Sequence, residues 1–82
     1  MKEDVVVQRL SPAVNAVVVQ LPERRRPGVV IQGDSLRNLH ALAHEVRRQL
    51  AGQDYAEAEG VAAELAELLA GYIASLDEAT AT

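Results

Sequence analysis

Pro27-Gly28-Val29-Val30-Ile31-Gln32-Gly33-Asp34-Ser35-Leu36 compresses a short strand, a tight turn and a helix start into one stretch. Pro27 and Gly28 interrupt whatever precedes them, and Val29-Val30-Ile31 is a β-branched run suited to a pleated surface. Gly33 readily takes φ > 0, and Asp34 or Ser35 can accept a hydrogen bond from the first free helical amides. Gly33, Asp34 and Ser35 are therefore the expected structural turn and cap. The stretch specifies an architecture and names no chemistry.

Working towards the N-terminus, Val5-Val6-Val7-Gln8-Arg9-Leu10 reads as a strand and Ser11-Pro12-Ala13-Val14-Asn15 as a turn. Ala16-Val17-Val18-Val19-Gln20-Leu21 reads as a second strand, antiparallel to the first. Pro22-Glu23-Arg24-Arg25-Arg26-Pro27 is a proline-bracketed charged connection into the third strand.

Towards the C-terminus the apolar period changes from two to 3.6. Leu36, Leu39, Leu42, Ala43, Val46 and Leu50 share one stripe of a first helix over 35–51, with Arg37, Glu45 and Arg48 away from it and Gly52 at C′. Asp54 with Glu57 makes a capping-box-like start to a second helix over 54–77, and 78–82 should fray. That helix carries a wide apolar face of Ala58, Val61, Ala62, Leu65, Leu68, Leu69, Tyr72 and Leu76, with Glu57, Glu64, Glu67 and Ser75 opposite. The expected fold is one α+β domain over 1–82, a three-stranded antiparallel sheet in 4–32 covered by a helical hairpin (β-β-β-α-α). The alternative is a mostly helical dimer carrying a loose β-hairpin.

A chain of 82 residues without Phe or Trp has little area per side chain to bury, so self-association is expected, with a homodimer as its simplest form. Leu65, Leu69, Tyr72 and Leu76 recur in one seam and are the expected self-association face. The absence of Cys excludes disulfides and thiolate metal sites, and no apolar run is long enough for a signal segment or a span, which together predict a cytoplasmic protein. Charge is segregated: residues 1–48 hold all eight bases and five acids, whereas 49–82 hold seven acids and no base. A solubilising acidic helix is the ordinary reading, and a basic partner for that helix is the sharper one.

Few residues suggest chemistry. His40 and His44, spaced i, i+4, could supply half of a zinc shell, but Arg47 beside them repels a cation and Glu45 points elsewhere, so no metal or cofactor is expected. Arg24, Arg25 and Arg26 form a possible anion or partner patch, because guanidinium pairs bidentately with phosphate and carboxylate. The acidic second helix makes nucleic acid an unexpected partner. Ser35, Ser11 and Ser75 are better explained by caps, turns and solvent than by nucleophilic roles, and Gly28 with Gly33 does not make a phosphate loop.

Pro27 to Leu36, with Leu21-Pro22 before it, resembles HicB-type antitoxins, whose sheet enters an amphipathic helix through a Pro-Gly-x-x-x-Gln-Gly-Asp-Ser/Thr turn. The likeness covers residues 4–50 and implies a β-β-β-α core, oligomerisation and occlusion of a small RNA-cleaving toxin. The same stretch, with Asn15, Val18 and Leu21-Pro22 to Arg24, also looks like a family of small uncharacterised bacterial proteins. The functional expectation is a non-enzymatic protein-interaction module, antitoxin-like or immunity-like, that neutralises or scaffolds a toxin-like protein partner. A small ligand- or nucleic-acid-binding regulator using the arginine loop is the alternative, and a hydrolase ranks third.

Overall fold

Val18 has no exposed surface, and it sits where burial is easiest, at the middle of the central strand of a three-stranded sheet. The structure, a computed structural model, describes residues 3–11 and 16–81. Its elements are β1 (Gln8–Arg9), β2 (Ala16–Gln20), β3 (Gly28–Ile31), α1 (Gly33–Ala51) and α2 (Tyr55–Thr80), an α+β fold of the expected order. The sheet is antiparallel with strand order β1-β2-β3. The expected turn at Pro12 to Asn15 lies outside the described residues.

Register explains which strand residues are covered. Ala16 stands opposite Ile31 and Val18 opposite Val29, so these four share one face, and all are buried or half-buried. Val17 opposite Val30 and Val19 opposite Gly28 occupy the other face, where Val30 is exposed and Val19, flanked by β1, is buried.

β1 is much shorter than the expected strand over 5–10. Its ladder pairs Gln8 with Gln20 and Arg9 with Val19, so Val7 and Val6 would face Leu21 and Pro22, where the partner chain turns away. Pro22 also has no amide to offer. At the other end the Leu10 amide donates to the Val18 carbonyl at 2.7 Å, while the Val18 amide donates to Ser11 Oγ at 2.9 Å. A side-chain hydroxyl thus takes the place of the next ladder acceptor and ends the pairing.

Two compact units divide the chain, Met1–Ile31 with Tyr72–Thr82, and Gln32–Gly71. In the first, the Arg24 amide donates to the Leu21 carbonyl at 3.2 Å, closing a turn with Pro22 at its second position, where a fixed φ is favourable. The Gln20 side-chain amide donates to the carbonyls of Leu21 and Arg24 and pins that turn to the end of β2.

The helix termini depart from expectation in instructive ways. α1 begins at Gly33, two residues before the expected start, and no glycine has positive φ. Gln32 alone links strand to helix in an extended conformation, φ −63° and ψ 150°, so only ψ need change to enter the helix. Asp34 and Ser35 therefore lie inside the first turn, not at the cap, and Asp34 Oδ1 accepts the Ser35 amide at 2.8 Å. At the far end the left-handed residue is Gln53, φ 61°, whereas Gly52 is the C-cap at φ −82°. The Asp54 amide donates to Gln49 at 2.9 Å and the Gln53 amide to Leu50 at 3.0 Å, the Schellman pattern shifted one residue beyond the expected C′ glycine.

Asp54 then caps α2 by accepting the Glu57 amide on Oδ1 at 3.2 Å. Its own amide is committed to α1, so the return half of a capping box has no donor left to use. α2 continues to Thr80, through residues expected to fray, and the Thr80 hydroxyl donates back to the Leu76 carbonyl at 2.9 Å. Among the described residues no helix is long and apolar enough to cross a membrane.

Candidate protein-interaction surface

The 26 residues of α2 turn a wide apolar face into two distinct strips. At 100° per residue, Ala58, Val61, Leu65, Tyr72, Leu76 and Ala79 fall on one side, and they are buried or half-buried. Tyr55, Ala62, Ala66, Leu69 and Ile73 fall on the adjoining side, and all are exposed. The expected self-association seam is thereby divided: Leu65, Tyr72 and Leu76 lie on the covered strip, and only Leu69 belongs to the exposed one. Ser75, expected on the solvent side, is half-buried.

α1 repeats this arrangement. Leu39 is buried and Leu42 and Val46 are half-buried, whereas Leu36, Ala43 and Leu50 of the same expected stripe are exposed. The exposed apolar side chains are large, with Leu36 58%, Leu50 49%, Tyr55 65% and Leu69 43% accessible. The sequence reading missed Tyr55, placed before the stripe began, and Ile73, which lies between Tyr72 and Leu76 in the chain yet off their side of the helix.

Glu45 is held inside α1 by two neighbours on the following turn. Arg48 pairs with it at 2.7 Å and Gln49 Nε2 donates to Oε1 at 2.7 Å. Those hydrogen bonds, first from Arg48 and then from Gln49, keep the Glu45 carboxyl below the usual glutamate range, and the same pairing pushes the Arg48 guanidinium up. Glu45 is thus a structural group.

His40 and His44 lie on exposed helix surface with ring centroids 6.4 Å apart, stacked at 25°. Among the described residues no group of three or more His, Cys, Asp or Glu side chains is placed to hold a metal ion. Arg24, Arg25 and Arg26 are exposed on the connection between β2 and β3. Near them, Val6, Val7, Gln8, Gln20 and Pro22 line a shallow depression of about 330 Å³. Val5, Leu21, Pro22, Glu23 and Arg24 line another of about 260 Å³. The first is open and largely apolar and suits an inserted aliphatic side chain better than a reacting substrate, whereas Glu23 and Arg24 make the second about as polar as apolar.

No curated protein and no solved structure matches this chain. A family model does, over residues 2–82, so nearly every residue described above lies within the matched region. With that coverage, the chain belongs to the family of unknown function DUF6959.

Proposed function

We propose that this protein is a non-enzymatic protein-interaction module, antitoxin-like or immunity-like, that neutralises or scaffolds a protein partner with a basic surface. One observation carries the reading. Among the described residues only Ala16, Val18, Val19, Leu39 and Ala58 form a buried apolar set, while eleven large apolar side chains remain exposed. A domain this small draws limited stability from such a core, and exposed apolar side chains grouped along one flank of a helix, as Tyr55, Leu69 and Ile73 are on α2, favour a contact surface. Charge supports the choice of partner: Glu57, Glu64 and Glu67 share an exposed side of α2, and no base follows Arg48. The resemblance of Pro27 to Leu36 to the antitoxin turn points the same way.

The experiment is co-expression with the product of the adjacent gene. Wild-type protein should relieve any growth arrest that product causes and co-purify with it, and E64K/E67K should lose both effects. A neighbour that is harmless alone and unbound by this chain would overturn the reading.

A further inference from the structure

We propose that two copies of this chain join edge to edge through residues 3–9, running antiparallel about a two-fold axis at Val6, so that their sheets become one. The inference goes beyond the interaction-module reading and holds whatever partner that module takes.

Ahead of β1 the chain supplies strand-forming residues and nothing to pair them with. Glu3 to Arg9 are all exposed, Val6 to 90%. Among the described residues, Val5, Val6 and Val7 make no hydrogen bond. They nevertheless follow the line of β1: Val6 and Val7 share one depression with Gln20 and Pro22, and Val5 shares the other with Leu21 and Arg24. Their inner side lies along the turn, and their outer side is an open sheet edge of β-branched residues, which natural sheets rarely leave uncovered.

Hydrogen-bond direction limits how that edge can pair. The Leu10 amide donates to Val18 on β2, so alternation along the strand turns Gln8 and Val6 towards β2 and turns the amides and carbonyls of Arg9, Val7 and Val5 outwards. An antiparallel partner of the same sequence must therefore set odd-numbered residues against odd-numbered ones. With the axis at Val6, Glu3 stands opposite Arg9, Asp4 opposite Gln8, Val5 opposite Val7, and Val6 opposite its own copy. Each acid then faces a donor and each valine faces a valine.

The other pairings lose this match. An axis at Val7 sets Arg9 against Val5 and Asp4 against Leu10, and an axis at Val5 sets Glu3 against Val7 and Asp4 against Val6. An axis at Asp4 opposes that acid to itself, and one at Gln8 carries both acids past Leu10. A parallel pair about a two-fold sets Glu3, Asp4 and Arg9 each beside its own copy. Opposite charges facing across a ladder favour pairing and like charges oppose it, so the segment is complementary to itself in one register. That self-complementarity assigns the edge to a second copy, through a contact that closes on itself.

The far edge of the sheet is built differently. β3 is bounded by Pro27, which offers no amide, and by α1 from Gly33, and Arg24, Arg25 and Arg26 precede it. Proline and charge at an edge discourage pairing. Joining the β1 edge of one copy to β3 of the next would also leave both ends open, and such a contact grows without closing.

The protein contains no cysteine, so introduced thiols report the register. Val6 on the axis is a non-hydrogen-bonded position, where the two Cα atoms face each other at about 4.5 Å, within the reach of a disulfide. V6C alone should oxidise to a linked dimer, V5C and V7C should not link alone, and V5C mixed with V7C should link. In sedimentation wild type should contain a dimer. V5P, which lacks one outward amide in each copy, should lose that dimer while keeping the helical circular dichroism of wild type. R9E should raise the dissociation constant about threefold or more, and E3R/R9E should restore it, a rescue that misfolding would not produce. The inference is overturned by a wild type that stays monomeric at about 100 µM, by V5P as dimeric as wild type, by V5C or V7C linking alone faster than V6C, or by oligomers that grow with concentration without closing. In the first case, a co-expressed protein bound by wild type and lost from V5P would be the occupant of the edge instead.

Discussion

Among the described residues, Gln53 is the non-glycine residue with positive φ. It occupies the left-handed region with a Cβ in place, which costs about 1–2 kcal/mol relative to a right-handed residue. Gln53→Gly should raise stability by about 0.5–1 kcal/mol after allowing for the greater freedom of an unfolded glycine, a rise of a few degrees in the thermal midpoint. Gly33 is the opposite case. Its φ is negative, it lies in the first helical turn, and a Cβ there would meet nothing within 4 Å. Gly33→Ala should therefore stabilise by roughly 0.4–1 kcal/mol, and even Gly33→Val should escape the penalty a left-handed turn would impose. Thermal melts of the two alanine and glycine variants check both statements. A lower midpoint in either would show that the helix ends are built otherwise.

At the scale of elements, the Glu45 group links α1 to pH. Its folded pKa is depressed by Arg48 and Gln49, so its contribution to stability is complete above the unfolded glutamate value near 4.5 and disappears as pH falls through the lower folded value. Glu45→Gln should consequently reduce the loss of thermal midpoint between about pH 6 and pH 3, measured beside wild type at the same ionic strength. The β2–β3 connection yields a prediction of absence. Its three guanidiniums are exposed, but three phosphate contacts release few counterions beside the six to ten of dedicated binders, and the acidic α2 repels the same polyanion. Titration with duplex DNA and single-stranded RNA at about 150 mM salt should show no binding tighter than the roughly 10⁻⁴ to 10⁻⁶ M range of non-specific association. Submicromolar binding abolished by R24A/R25A/R26A would favour the regulator over the interaction module.

For the whole molecule, the sparse buried set makes the expected self-association testable through stability. If two copies bind only when folded, the thermal midpoint must rise with protein concentration by mass action. Calorimetry between about 5 and 200 µM should show that rise for wild type and a flat midpoint for V5P. The element order and the two helical stretches were legible beforehand because their causes are local. Val29-Val30-Ile31 favours a strand wherever it lies, the shift from period two to period 3.6 marks the helices, and Asp54 caps α2 through an amide three residues away. What tertiary structure alone decided is where each pattern stops and which side it turns inward. Val5–Val7 has strand character but no strand opposite it, because the register leaves it facing the Leu21-Pro22 turn. Gly33 and Gly52 permit either sign of φ, so neither identifies the left-handed residue; the bonds from the Asp54 and Gln53 amides back to Gln49 and Leu50 do, and they go with a left-handed Gln53. Leu65, Leu69, Tyr72 and Leu76 are indistinguishable as members of one apolar face. Periodicity gives a face its width, and only the surrounding chain divides that width into a side to cover and a side to expose.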